Sequence, residues 1–294
     1  MLAMGVVAVA ALAATAILVS QSTWSRQVEL TAGRAQAQLL IQAGLDWARA
    51  VLSDDRRASN VDHLGESWAL RLPPIPVDNG SLAGYIEDQQ GKFNLNNLVK
   101  DGKVNLAQLA HFRRLLSVLD LPPTLAGALA DWIDADSDPQ PQGGAEDEYY
   151  GSLQPPYLAA NRPLIDVAEL ALVRGFDDNV RARLRPFVTA LPRATAVNAN
   201  TATPEVLAAV VEGLGIDGAR TLVAQRERAY FRNFSDFFNQ LPAGVVAPAE
   251  GISVGSDYFI ATTRITIGGA QARGSALLAR EKAGWPAIVW RKSP

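Results

Sequence analysis

A dense acidic segment is the part of this sequence best suited to binding a ligand. Residues 131–150 contain seven carboxylates and no Lys or Arg, and like charges crowded this closely repel one another unless a cation screens them. Alternating aspartates can bring oxygen ligands around one centre, and a Gly-Gly pair allows the chain to turn back so that later carboxylates close the shell. Ca²⁺ is the cation that such a loop favours. The residues that form this pattern are Asp134, Asp136 and Asp138, then Gly143 and Gly144, then Glu146, Asp147 and Glu148.

Other interpretations of the acidic segment stay open. An EF-hand requires Gly at its sixth position and Glu at its twelfth, where counting from Asp134 gives Pro139 and Ala145, so the segment is not an EF-hand. Mg²⁺ demands a tighter octahedral geometry than a loop so rich in carboxylates favours. The segment could also be a solvated acidic loop, or supply the paired carboxylates of a glycosidase, although no sugar platform accompanies them.

Composition excludes several classes of active site. The 294 residues include no Cys, which excludes disulfides, thiol catalysis and thiolate metal centres. Two histidines, His63 and His111, are too few for a multi-histidine metal site. The 27 Lys and Arg against 30 Asp and Glu give a formal net charge of −3, which argues against a protein that coats nucleic acid. The length of the chain fits one large or two modest domains.

The start of the chain predicts one long helix that begins in a membrane. Residues 1–25 carry no charge, and the apolar run over residues 1–19 would rise about 28 Å as a helix, close to the thickness of a bilayer core. Helical apolar spacing continues without proline to Leu52, so we expect one rod that packs its apolar stripe on a sheet. A cleaved export signal followed by a separate surface helix is the alternative. The stripe consists of Val28, Ala32, Ala35, Leu39, Ala43, Trp47 and Val51.

Strand patterns flank a helical middle, which predicts an α+β domain interrupted by a helical insertion. Residues 53–80 have the composition of a loop, and residues 82–86 and 92–95 predict two strands of a hairpin. Helices are expected over 106–119 and 125–133, and a strand meander over 258–267, 272–280 and 287–291. The predicted divisions are the N-terminal helix (1–52), the first part of the sheet domain (53–103), the inserted helical subdomain (104–240) and the C-terminal meander (241–294).

A helix–glycine turn–helix unit occurs twice within the insertion, and the second copy suggests an alternative function. That copy begins at Asn200, and its Gly213-Leu214-Gly215 turn precedes a helix over 219–226. It resembles a helix-hairpin-helix, a motif that grips DNA phosphates through backbone N–H groups. Nearby carboxylates balance its arginines, which weakens phosphate binding. A membrane-tethered DNA-binding protein is therefore the alternative function, beside a plain helical packing unit and a periplasmic hydrolase that uses the acidic segment.

Several segments together resemble the minor pseudopilin K family of type II secretion systems, also called general secretion pathway protein K. The resemblance spans nearly the whole chain, and the acidic segment is its most specific part. The matching segments are 44–49 (GLDWAR), 91–98 (GKFNLNNL), 131–150, 155–157 (PPY), 160–163 (ANRP) and 197–202 (VNANTA).

This resemblance implies a non-enzymatic subunit of a secretion filament. The implied fold is α+β, with a long N-terminal helix packed on a pilin-like antiparallel sheet and a large inserted α-helical subdomain. The implied role is assembly, initiation and capping at the tip of the pseudopilus, for export of folded proteins across the outer membrane. The protein would be single-pass in the inner membrane with its bulk in the periplasm. Its partners would be the I-, J- and H-type minor pseudopilins and the major pseudopilin, with no nucleic acid expected.

The resemblance also implies structural Ca²⁺ and a set of ligands. The family's short basic leader, which ends in Gly and is cut by a prepilin peptidase, does not stand before Met1. We therefore expect either a start at a downstream Met or a shortened chain, and no processing is predicted from these residues. The implied metal ligands are Asp134, Asp136, Asp138, Gln142, Glu146, Asp147 and Glu148.

Overall fold

One helix dominates the N-terminal part of the molecule. A computed structural model describes residues 2–77, 80–245, 247–267, 270–280 and 284–293, without the side chains of residues 2–4, 6–11, 29, 30 and 270. Helix α1 (Leu2–Ala58) is continuous over 57 residues, about 85 Å at 1.5 Å per residue. The predicted rod is confirmed, and it ends at Ala58 rather than near residue 52. Within the described residues, no helix combines the length and the apolar character needed to cross a membrane.

Helix α1 packs on the sheet through a different stripe from the predicted one. The stripe named from the sequence was wrong, because Leu39 and Trp47 are 73% and 43% exposed. The physical reason is Gly44, which lets the helix approach Thr263 so closely that an added Cβ would lie 2.6 Å from its Oγ1. A bulky residue such as Trp47 on that side would hold the helix away from the strands. The residues that α1 buries are Ile41, Leu45, Ala48 and Leu52.

Replacing Gly44 tests this close approach. Gly44→Ala should lower the Tm of the full chain in a nonionic detergent, because the new methyl group would overlap the buried Thr263 side chain. Overpacking of this kind costs about 1–3 kcal/mol. Gly33→Ala on the same helix is the matched control, since no heavy atom lies within 4 Å of its added Cβ. Its Tm should stay the same or rise slightly. Equal effects of the two variants in thermal unfolding followed by circular dichroism would contradict this packing.

The strands form one main sheet and three small two-stranded sheets. In chain order they are β1 (Leu72–Val77), β2 (Gly80–Asp88), β3 (Phe93–Asn94), β4 (Val99–Lys100), β5 (Lys103–Val104), β6 (Val188–Thr189), β7 (Val197–Asn198), β8 (Ile252–Ser253), β9 (Tyr258–Ile267), β10 (Ala270–Ala279) and β11 (Ala287–Lys292). The main sheet has the order β1-β2-β9-β10-β11 and is antiparallel throughout. Strands from before and after the insertion are therefore hydrogen-bonded neighbours.

Two predictions about the strands before the insertion were wrong. Residues 92–95 do not form a hairpin with β2, because β3 pairs in parallel with β6 instead. After β2 the chain turns away from the main sheet, and the carboxylate of Asp88 accepts a hydrogen bond from Gln90 N at 2.8 Å. Residues 72–77 are not a loop but the edge strand β1. Its three prolines obscured it in the sequence, and an edge is the place in a sheet where proline is tolerated.

The remaining helices belong to the insertion. The predicted helices over 106–119 and 125–133 are confirmed as the first two of them. The helices after α1 are α2 (Leu106–Val118), α3 (Leu125–Ile133), α4 (Asp147–Gly151), α5 (Asp178–Leu184), α6 (Pro204–Val210), α7 (Gly215–Arg228) and α8 (Phe234–Phe238), with short 3-10 turns at Ser67–Ala69, Leu95–Leu98 and Val167–Leu172. The insertion and the α1-facing side of the sheet bury separate hydrophobic cores.

Buried hydrogen bonds join the insertion to the sheet. The buried Asp88 accepts hydrogen bonds from Ser256 Oγ at 2.7 Å and from Asn198 Nδ2 at 3.1 Å. Thr201 Oγ1 also donates to it. Burial raises the pKa of Asp88 to about 6. We call the group of Asp88, Asn198, Thr201 and Ser256 the polar junction.

Candidate metal centre

The acidic segment begins where helix α3 ends and is tied back to that helix by Asp131. This residue lies in the last turn of α3 and is fully buried. Its carboxylate accepts hydrogen bonds from Gln140 N at 3.1 Å and from Ala145 N at 2.7 Å. Asp131 therefore folds the loop into a closed shape. Asp131 was not among the predicted ligands, although a single carboxylate in the otherwise apolar helix α3 indicates a buried side chain with a specific hydrogen-bonding role.

Three carboxylates meet inside the loop that Asp131 closes. Oxygen atoms of Asp134, Asp136 and Glu146 all lie within 4.8 Å of one another. Asp134 is fully buried and Glu146 is 6% exposed, yet none of the four carboxylate oxygens of these two residues has a hydrogen-bond partner. Buried polar atoms normally have partners, and buried charges are normally paired or coordinate a metal. The residues present therefore fit a bound cation.

Burial and mutual repulsion shift the protonation of this cluster. Desolvation raises the pKa of Asp134 to about 7, with further contributions from Asp136 and Asp131. The pKa of Glu146 is also raised to about 7, mainly by desolvation and to a smaller extent by the charges of Asp131 and Asp134. A divalent cation would reverse this effect, because it favours the ionised carboxylates.

The other four implied ligands lie outside this three-carboxylate group. Asp138 is exposed, and its backbone N–H donates to Asp136 Oδ1 at 3.0 Å. Asp147 Oδ1 accepts a hydrogen bond from Ala159 N at 2.9 Å. Gln142 and Glu148 are exposed. The structure thus brings together Asp134, Asp136 and Glu146 of the seven residues.

A second group of three carboxylates in this chain is neutralised by an arginine side chain of the protein itself. Oxygen atoms of Asp55, Asp62 and Glu66 also lie within 4.8 Å of one another. The guanidinium of Arg280 reaches them, with Nη1 2.7 Å from Asp55 Oδ2 and Nη2 2.6 Å from Asp62 Oδ1. This group contains its own cation, whereas no Lys or Arg among the described residues forms an ion pair with Asp134, Asp136 or Glu146. The Arg280 group was not predicted because Arg280 is 225 residues from Asp55 and 218 from Asp62 in the chain.

Aromatic side chains and one arginine support the loop from outside. The rings of Trp132 and Tyr150 pack edge to face with centroids 5.0 Å apart. Arg174 lies over the ring of Tyr149 at 4.6 Å and donates from Nη1 to the carbonyl of Gly144 at 3.1 Å. These contacts hold the backbone around the cluster in place before any ion binds.

The helix-hairpin-helix candidate is formed by α6 and α7, joined at Gly213 and Gly215, which have φ of +78° and +65°. Two of its arginines are engaged within the chain. Arg226 Nη1 donates to the carbonyl of Ala199 at 2.6 Å, and Arg220 forms an ion pair with Asp217 at 3.1 Å. This geometry gives the DNA-binding alternative no support.

Comparison with known proteins gives a consistent result. Models of the type II secretion system protein K family match residues 91–193 and 197–255. The chain is 38% identical to type II secretion system protein K of Pseudomonas aeruginosa over 275 residues, covering 90% of this chain and 82% of that protein. It is 33% identical to the protein of the same name from Aeromonas hydrophila, covering 87% and 84% of the two chains. A solved structure of the GspK-GspI-GspJ complex from enterotoxigenic Escherichia coli contains a chain that superposes with a TM-score of 0.78 at 26% identity, covering 90% of this chain and 99% of that one.

Proposed function

Because this chain belongs to the type II secretion system protein K family, and is therefore a minor pseudopilin with a structural role in protein transport, we propose that it lies at the tip of the pseudopilus. There it would initiate assembly and cap the filament for export of folded proteins across the outer membrane. The observation that carries this proposal is the large helical insertion between β2 and β9. A mass of this size at one end of a subunit would block the addition of another subunit above it.

The exposed side of α1 supports a place among other pseudopilins. Four large apolar side chains of this helix are between 43% and 73% exposed, namely Trp24, Val28, Leu39 and Trp47. Apolar helix faces pack against one another when ridges of side chains fit into grooves. The solved relative assembles with GspI and GspJ, and we propose I- and J-type minor pseudopilins as partners of this chain, with an H-type subunit and the major pseudopilin further down.

Removing the insertion tests the capping role. Gln90 Oε1 accepts a hydrogen bond from Asp257 N at 2.6 Å, so the chain segments that flank the insertion lie side by side. A short Gly-Ser linker can therefore replace residues 92–253, a range that contains the whole insertion (104–240). Cells that carry the shortened chain should secrete less and form longer pseudopili, because addition above this subunit is no longer blocked. Co-purification of the shortened chain with I- and J-type pseudopilins shows that its α1 and sheet still fold. Normal secretion and normal filament length in such cells would contradict the proposal.

The N-terminal part of α1 would anchor the protein in the inner membrane, with the bulk of the chain in the periplasm. The support is the uncharged run over residues 1–25 and its continuation into α1 without a break. The chain contains no Cys, so Ser137→Cys on the acidic loop provides a single label site. A thiol reagent that cannot cross the inner membrane should modify it in cells with a permeabilised outer membrane, and protection in such cells would place the loop in the cytoplasm instead.

The acidic segment would hold structural Ca²⁺ through Asp134, Asp136 and Glu146. Buried oxygen atoms that have no hydrogen-bond partner and no ion pair among the described residues support this assignment, and oxygen-only sites of this kind suit Ca²⁺. The exposed or otherwise bonded residues Asp138, Gln142, Asp147 and Glu148 remain proposed further ligands. Calcium would supply positive charge only, and thereby keep the loop closed against the end of α3.

A further inference from the structure

The side of the sheet that faces away from α1 carries an unusual pair of arginines. Strands alternate their side chains between two faces, and Thr263 and Gly274 lie against α1. Their neighbours Arg264 and Arg273 therefore lie on the opposite face. These two arginines are directly opposite each other in the β9–β10 register, and both are exposed. Like charges placed directly opposite in a sheet are destabilising.

Nothing in the described part of the chain neutralises this arginine pair. Neither Arg264 nor Arg273 forms an ion pair there, and the hydrogen-bond partner of Arg273 is the hydroxyl of Tyr85 at 3.5 Å. Two of the neighbouring cations differ, since Lys292 pairs with Asp166 and Lys92 pairs with Glu87. Arg264 and Arg273 thus place two cations without a carboxylate partner at adjacent positions, where they repel each other.

The arginine pair borders a cleft between the sheet and the insertion. The cleft has a volume of about 330 Å³, and an open groove that contains both arginines continues from it. Together they are lined by five cationic side chains and two carboxylates. This surface is therefore strongly positive in a chain whose formal net charge is −3. We call it the cationic face.

We propose that the cationic face is a docking surface for a protein that presents clustered carboxylates. The charge of the face is complementary to such a partner, and ion pairs with it would remove the repulsion between Arg264 and Arg273. The partner would approach from the side of the sheet away from α1, so it would not compete with subunits packed along that helix. The inference rests on the proposed function only in assuming that other subunits pack along α1.

An anionic membrane surface fits these observations less well. Gly274, next to Arg273 in β10, lies against Ile41 of α1, which is 22 residues beyond the end of the apolar run at Val19. That separation is about 33 Å along the helix, several times the Debye length of about 8 Å at physiological salt. A lipid headgroup layer around the N-terminal part of α1 would be too distant to neutralise these arginines.

The test compares two double variants of the full chain in a nonionic detergent. Arg264→Ser with Arg273→Ser removes the pair, and Arg220→Ser with Arg228→Ser removes two exposed arginines from α7 as a control of equal charge. The probe is a fluorescent oligoglutamate peptide, whose binding is followed by anisotropy at low salt. The first variant should bind about tenfold more weakly than the wild type, as loss of two ion pairs implies, whereas the control should bind within about twofold of the wild type.

Thermal unfolding separates docking from a structural role. Because the pair is repulsive in the free chain, the first variant should also unfold about 1–3 °C above the wild type. Opposite directions of the two readouts support the proposal. A lower Tm together with weaker binding, or equal losses of binding in both variants, would overturn it. Tighter binding to phosphatidylglycerol vesicles than to oligoglutamate would also overturn it, in favour of a membrane surface.

Discussion

Calcium should raise the Tm of the full chain by about 5–10 °C when its free concentration is one hundred times Kd. The reason is that an ion bound only by the folded state adds about 2.7 kcal/mol at that concentration, and each kcal/mol moves the Tm of a chain of this size by about 2–4 °C. The ion would neutralise Asp134 and Glu146, whose carboxylate oxygens are buried without partners. Excess chelator should return the Tm to that of the metal-free chain. Differential scanning fluorimetry of the full chain in detergent measures both.

Variants of the cluster should show effects of opposite sign with and without calcium. Asp134→Asn with Glu146→Gln removes two buried negative charges, so the variant should lose the calcium-dependent rise in Tm. In chelator at pH 8 it should unfold at the wild-type temperature or above it, because the repulsion within the loop is gone. Asp217→Asn with Glu227→Gln, on the exposed surface of α7, is the matched control and should respond to calcium like the wild type. A full calcium response in the cluster variant would disprove the assignment of the site.

Replacing Arg280 should destabilise the protein by about 3–5 kcal/mol, the usual cost of leaving a buried charge without its partner. Arg280→Met leaves Asp55, Asp62 and Glu66 without their cation, and the side chain of Arg280 is fully buried. Arg273 is exposed and lies on β10, the strand that ends just before Arg280, so Arg273→Met should show no such loss. Urea unfolding of the full chain measures the free energy of unfolding of both variants. Adding Asp62→Asn to Arg280→Met should partly restore the lost stability, because it removes one of the unpaired charges. Equal stability of the wild type and Arg280→Met would contradict a role for this group.

The loss in Arg280→Met should depend on pH in a defined direction. Burial, followed by the charges of Glu66 and Asp62, raises the pKa of Asp55 to about 6. For a carboxyl whose pKa is raised on folding, the contribution to stability is full below its unfolded pKa of about 4 and is lost as the pH rises through about 6. Arg280 lowers the pKa of Asp55, whereas Glu66 and Asp62 raise it. Removing Arg280 therefore raises the pKa of Asp55 further. The difference between variant and wild type should therefore be smallest near pH 4 and largest near pH 8.

The sequence was most informative where patterns are local. The continuous helix α1, the helices α2 and α3 and the C-terminal strands follow from apolar spacing and proline positions, and each of these predictions is confirmed. The acidic segment was also visible as a local cluster of charge. Asp134, Asp136 and Glu146 then meet because the loop between them is short and closes on Asp131.

What could not be predicted depends on contacts between distant segments. Either apolar stripe of α1 could have faced the sheet, and Gly44 against Thr263 decides between them only once strand β9 is in place. The partner of β3 is β6, about 95 residues later, which no local pattern encodes. Arg280 meets Asp55 across an even longer stretch of the chain. In each case the local sequence is compatible with more than one arrangement, and contacts made in the folded chain decide which one forms.

The polar junction limits how the insertion can move relative to the sheet. An apolar seam tolerates sliding, because dispersion contacts have no preferred direction, but the hydrogen bonds around Asp88 need donors and acceptor aligned to within a few tenths of an ångström. A rotation of the insertion about this point would leave a buried carboxylate unsatisfied, at a cost that rises steeply with angle. The insertion and the sheet should therefore move as one rigid body, so that any displacement of the sheet is transmitted to the insertion without rotation.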